Sequence, residues 1–253
     1  RNSLNLIMND LVIAFYKELE SIKIFKKFSK KFNYNQILYN KSDIRVNDLS
    51  FKEICLPNIG LHTHTYLHHI ISNYSSLSDV TIFLLGSAFR DKKKSKKAKW
   101  LLENANRCKG YMAGHIWLSN EDDFAFELPN YDIFDYKNKF IKANSRRIRT
   151  KMIRADVTPL GKWIEKKTQQ NFINKRFFRS SKCMFAVNRK LIQNKPISYY
   201  QNLYDLLNKY EKNERNIEVA HYFERAWLAI FTDANNANNL EHDEKTYGSI
   251  KNS

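Results

Sequence analysis

Glu224 is the best placed general base in this sequence. It sits in His221-Tyr222-Phe223-Glu224-Arg225-Ala226-Trp227, a run with helical spacing whose Phe223 and Trp227 supply apolar neighbours. Apolar surroundings disfavour a charged carboxylate, so a raised pKa is expected, suited to taking a proton from a hydroxyl. Arg189 or His221 would orient it. The plainer reading of Glu224 is a buried structural ion pair.

Further polar groups fall at expected strand ends, where open α/β sheets gather their ligands. Glu18 follows the first apolar run and could accept bonds from a base or ribose; otherwise it is a surface glutamate favoured at a helix N-terminus. Gly86 and Ser87 end the run Val80-Thr81-Ile82-Phe83-Leu84-Leu85, and a glycine there lets backbone amides approach a phosphate. Arg189 lies just past Val187 with a guanidinium suited to bidentate phosphate contact, or to an ordinary salt bridge. Asp79 precedes its strand and reads as a turn residue.

The stretch Leu56-Pro57-Asn58-Ile59-Gly60-Leu61-His62-Thr63-His64 is a turn feeding a helix, which makes Asn58, Gly60, His62 and His64 candidate ligand contacts. Asn58 could offer its amide to a hydroxyl or cap the helix, and Gly60 shapes the turn. His62, His64, His68 and His69 are four of the chain's 7 histidines. His64 and His68 would be one helical turn apart and could share a metal, although no carboxylate lies between them. Packing histidines are the plainer reading.

These groups need a scaffold, and the apolar runs outline one. Leu11-Val12-Ile13-Ala14-Phe15 reads as a buried strand, followed by a helix through Ile22, Phe25 and Phe28, a second strand at Gln36–Tyr39 and a turn at Asn40–Asp43. A helix from about His64 to Tyr74, the Val80–Leu85 strand and a lysine-rich helix near residues 95–106 continue the alternation. Later come a helix after Pro159, a strand at Met184–Val187, a helix after Pro196 and a last helix at about Val219–Phe231. The fold expected is α/β: a single domain, Rossmann-like, with a mostly parallel central sheet flanked by helices. Residues 1–232 would form it, 110–155 being an irregular insertion and 233–253 a polar tail.

Length 253 with 43% hydrophobic residues suffices for one large core. No apolar run approaches the roughly 20 residues that cross a bilayer, and no signal-peptide pattern opens the chain, so a cytoplasmic protein is expected. Cys55, Cys108 and Cys183 form no paired spacing, which favours reduced thiols over a structural zinc site. The net charge of +17 is scattered, with dense clusters only at Lys92–Lys97 and Arg146–Lys151. Each is a solvated face, or else a contact for an anion such as a sugar-bound diphosphate or the acidic inner face of a membrane. The scatter makes nucleic acid a weaker partner.

Four segments, Leu11–Glu18, Pro57–Gly86, Met184–Ile192 and His221–Phe231, resemble in order and spacing an uncharacterised family catalogued as domain of unknown function 3431. Many of its members carry Arg-Glu after the glycine matched by Gly60, where this chain has Leu61-His62. A first strand ending in Tyr16-Lys17-Glu18 and a late helix with an embedded Glu224 more distantly resemble glycosyltransferases of the single-Rossmann-like, nucleotide-diphospho-sugar type. Those enzymes usually hold a divalent cation, Mn or Mg, on an Asp-x-Asp at a central strand end, where this chain reads Leu84-Leu85-Gly86-Ser87.

The resemblance implies a transferase that moves a sugar from a nucleotide-sugar donor to a glycan acceptor in surface-polysaccharide biosynthesis. Two other readings stay open. One is a nucleic-acid-binding protein using the basic runs and exposed aromatics; the other is a metal-dependent hydrolase built on the histidines.

Overall fold

Alternate residues of the first apolar run face opposite layers, and both layers are covered. Val12 packs with Phe83, Phe185 and Trp227 on one face, while Leu11, Ile13 and Phe15 pack with Phe25, Leu84 and Leu101 on the other. The computed structural model describes residues 9–128, 153–180, 182–211, 217–233 and 239–249. The strands are β1 (Asp10–Phe15), β2 (Asn35–Asn40), β3 (Lys52–Cys55), β4 (Val80–Leu85), β5 (Tyr111–Ala113), β6 (Ile116–Leu118), β7 (Phe178–Ser180), β8 (Phe185–Asn188) and β9 (Leu240–Glu241). The helices are α1 (Leu19–Phe32), α2 (Leu61–Ser72), α3 (Lys92–Asn104), α4 (Glu121–Phe124), α5 (Leu160–Thr168), α6 (Arg189–Gln193), α7 (Ile197–Asn208), α8 (Glu218–Phe231) and α9 (Glu244–Tyr247).

The result is a mixed α/β domain with a seven-stranded sheet in the order β3-β2-β1-β4-β8-β5-β9, and a separate antiparallel pair, β6 with β7. β3, β2, β1 and β4 pair in parallel, and β9 is parallel to β5. β8 alone runs antiparallel to both of its neighbours. The strand order reverses between β1 and β4, and in such sheets the crevice beyond the carboxyl ends of those two strands is the usual ligand position.

Two expectations about organisation are corrected. The supposed tail contributes β9, whose Leu240 and Glu241 lie opposite Tyr111 and Met112, with His242 and Asp243 buried behind them. The supposed insertion supplies β5, β6 and α4 before residue 129, and the basic run Arg146–Lys151 lies outside the described residues. Among the described residues no helix is long and apolar enough to cross a membrane.

α8 is buried along most of its length, 12 of its 14 residues lying inside the domain, Glu218 and Arg225 among them. Trp227 lies 5.8 Å from the Tyr66 ring and 5.3 Å from that of Phe185, which ties α8 to α2 and β8. At its start the buried Glu218 accepts backbone bonds from Leu128 and Ala155, each 2.9 Å, satisfying donors on two incoming segments. Glu224 is thereby carried on an element anchored at both ends.

Candidate functional site

Glu18 lies one turn past β1, and its Oε2 accepts the backbone N–H of Tyr16 at 2.8 Å and of Lys17 at 3.0 Å. Those bonds fold the carboxylate back over the strand end and against Gly86, which opens a 3-10 turn (Gly86–Phe89) after β4. Ser87 is half-buried in the same turn and its carbonyl receives Arg90 N–H. Glu18, Gly86 and Ser87 thus meet at the reversal point, as expected from their places in the sequence.

The second part of the site is carried by α2 and α8. Gly60 and Leu61 enter α2 in consecutive left-handed conformations, φ 58° and 53°. A Cβ on Gly60 would lie 3.0 Å from His64 Cβ and 3.1 Å from Leu207 Cβ, so glycine fits both the conformation and the packing. Asn58 lies in this turn but does not cap the helix, since Gly60 is the residue at the cap. The turn delivers His62, whose Nε2 is buried without a hydrogen-bond partner among the described residues. Burial brings the His62 pKa down to about 4, with Glu224 the one neighbour acting the other way.

Glu224 itself departs from expectation. Burial opposes its ionisation, but Arg225, His62, His221 and Lys182 outweigh it and hold the carboxyl below the ordinary range. His221 is one turn earlier on α8 and its carbonyl accepts Arg225 Nη1 at 3.0 Å. Arg225 is buried beneath the face of Phe126, 3.8 Å from the ring centre. The aromatic neighbours expected to raise Glu224 are present, but Arg225 beside it on α8, helped by groups from α2 and the segment before β8, dominates.

Arg189 is the clearest correction. Because β8 is antiparallel, its carboxyl end lies at the amino end of β4, on the opposite rim from Glu18 and Gly86. There Arg189 Nη2 pairs with Asp79 Oδ1 at 2.5 Å, and Nη1 donates to Leu77 O at 3.1 Å. Asp79 is indeed a turn residue at the far end, and Arg189 joins it rather than Glu224.

His64 is also mainly structural: buried, with its ring 4.7 Å from that of Tyr204, and driven by burial to a pKa of about 3. The His64 and His68 rings stack in parallel at 6.5 Å. Among the described residues no group of three or more His, Cys, Asp or Glu side chains is placed to hold a metal ion.

One residue of the site has no signal in the sequence beyond its place in a turn. Lys41, just past β2, is buried and donates from Nζ to Ile59 O at 2.6 Å and Leu61 O at 2.5 Å. Burial brings its pKa down to about 7, and its charge is felt by His62 and His64. Lys41 ties the end of β2 to the turn that presents His62. Nothing in Asn40-Lys41-Ser42-Asp43 signals this, because the acceptors come from a segment remote in sequence.

The profile of the family described as "Protein of unknown function (DUF3431)" matches residues 11–247. Neither a curated protein nor a solved structure matches the chain.

Proposed function

For a chain that belongs to the DUF3431 family, a membership that carries no activity with it, we propose a glycosyltransferase that moves a sugar from a nucleotide-diphosphate donor to a hydroxyl of a glycan acceptor. The observation that carries this reading is the meeting of Glu18 with Gly86 where the strand order reverses, on the rim that β3 and α2 supply with His62. A carboxylate there is suited to accept bonds from ribose or base hydroxyls and amines, and the bare backbone of Gly86 is what lets that carboxylate sit against the strand end. Glu224, ionised at neutral pH and beside neutral His62, is the proton acceptor for the attacking hydroxyl. Surface-polysaccharide biosynthesis is the setting in which such a transfer belongs.

The test is thermal shift with a panel of nucleoside diphosphates and nucleotide sugars, since a ligand that binds only the folded chain raises its melting point by mass action. Stabilisation by one nucleotide diphosphate, lost in Glu18→Gln, supports the reading. A flat response across the panel, with and without manganese, rules it out.

A further inference from the structure

Cations from two separate elements come to one rim of the sheet, and one of them, Lys182, bears on Glu224. Lys94 and Lys97 stand three residues apart, and so on one face, at the start of α3, which follows the Gly86 turn. Lys182 stands on the segment entering β8, and β8 is antiparallel, so this segment comes to the same rim. Two of the three share neighbours, Lys94 and Lys182 both bearing on Cys183 and Asp91; Lys182 also bears on Glu224 and on Lys97, and Lys94 on His62.

Their placement is built into the backbone. Gly114, just past β5, would bring a Cβ within 2.9 Å of Lys97 Cγ and 3.0 Å of its Cβ, so the lysine stem lies against bare main chain. Lys97 Nζ is 5.7 Å from the centre of the Tyr247 ring. Lys182 and Cys183 hold consecutive left-handed conformations, φ 73° and 50°, and Cys183 is fixed by its carbonyl accepting Tyr66 OH at 2.9 Å. Asp91 caps α3 and lies 3.6 Å from Lys94 Nζ, half-exposed. Burial, and to a smaller extent Lys182, lower the Lys97 pKa to about 8.

A divalent ion is a poor fit to this set of side chains. Mg and Mn want several hard oxygen donors, yet the end of β4 offers Leu85-Gly86-Ser87, Glu18 already accepts two backbone N–H groups, Asp91 caps α3 beside Lys94, and no three carboxylate, histidine or cysteine side chains among the described residues are grouped to hold an ion. We propose that Lys94, Lys97 and Lys182 form a metal-independent binding site for a diphosphate group. This rests on the transferase reading and deepens it. In the transfer, the bond from the sugar's anomeric carbon to the donor phosphate oxygen breaks with its electron pair leaving on the diphosphate. The acceptor oxygen bonds to that carbon and its proton passes to Glu224, while the lysines offset the charge gathering on the leaving group.

The experiment is calorimetric titration of inorganic pyrophosphate, and separately of uridine diphosphate, into the full chain in EDTA. Wild type, Lys97→Met, Lys182→Met, Lys97→Arg and the distant surface variant Lys30→Met are compared, with melting points to confirm folding. Expected are binding of pyrophosphate without metal, a loss of about tenfold in each methionine variant, retention in Lys97→Arg and no change in Lys30→Met. Binding that appears only with Mn or Mg, or that is indifferent to both methionine substitutions, overturns the proposal. If uridine diphosphate still binds in that case, the transferase reading survives alone; if neither probe binds wild type, both fall.

Discussion

The carboxylate of Glu18 fills the space that a side chain on Gly86 would need: a Cβ there would overlap Oε2 and come within 2.9 Å of Cδ. Gly86→Ala must therefore displace Glu18 from its bonds with Tyr16 and Lys17. A glutamate tip is flexible, so the fold should survive at a cost of about 1 kcal/mol. Nucleotide diphosphate affinity should fall about tenfold, as in Glu18→Gln. Calorimetry on both variants decides it, and wild-type affinity in Gly86→Ala would show that this carboxylate touches no ligand.

Arg189 supplies the contrasting case. Its pair with Asp79 is about 40% exposed on both sides (side chains 42% and 37%) and lies on the far rim. Arg189→Ala should cost about 0.5–1 kcal/mol in a urea melt. Ligand binding should not change. A binding loss as large as that of Glu18→Gln would mean that the two rims are coupled.

The parts of this arrangement that were legible in the sequence are those set by local pattern. The runs Leu11–Phe15 and Val80–Leu85 mark buried strands by composition alone, and the residues following parallel strands share a rim, so Glu18 and Gly86 could be placed together. A four-residue buried strand such as β8 reads the same in either direction, so its sequence does not fix the rim on which Arg189 lies. β9 is two residues long after an asparagine-rich stretch and carries no periodicity. The lowered pKa of Glu224 depends on charges from α2, α8 and the segment before β8, a sum that only the tertiary structure fixes.

Acid should unfold the protein through its neutral histidines. His64 and His69 have folded pKa values of about 3 and His62 of about 4, against 6.5 for each in the unfolded chain. Between those limits the unfolded state binds more protons, so stability is complete above 6.5 and falls as pH drops, by about 1.4 kcal/mol per pH unit for each histidine. Asp10, 3.8 Å from His69 Nε2 and raised by burial, works in the opposite sense at lower pH. The slope of unfolding free energy between about pH 6 and 5 should drop by one proton in His69→Gln. An unchanged slope would mean that His69 titrates normally in the folded chain.

Lys41 predicts a second dependence, on the alkaline side. Its pKa falls from 10.5 to about 7 on folding, because burial disfavours the ammonium. As pH drops from 10.5 toward 7, the unfolded chain takes up a proton that the folded chain does not, and stability declines by about 1.4 kcal/mol per pH unit before levelling. Lys41→Met should abolish that component while freeing the turn that carries His62, so its difference from wild type shrinks as pH falls from about 10 to 7 or reverses sign. Parallel urea melts at those two pH values measure it, and a constant difference would place the lysine's titration outside this window.

Glu224→Gln separates chemistry from binding. A carboxylate held below the usual range is ionised at neutral pH but is a weak base, so its contribution should sit near the low end for general-base catalysis, about 10²-fold in kcat. Donor affinity should be unchanged, because the proposed contacts of the nucleotide lie on Glu18, Gly86 and the lysines. With wild type, the acid limb of kcat should lie below the ordinary carboxylate value of 4.5, leaving activity flat from neutrality to about pH 5. A limb near neutrality would transfer the base role to His62 or another group. Equal loss of donor binding and turnover in Glu224→Gln would make this residue a positioning group whose partner is the buried His62 ring.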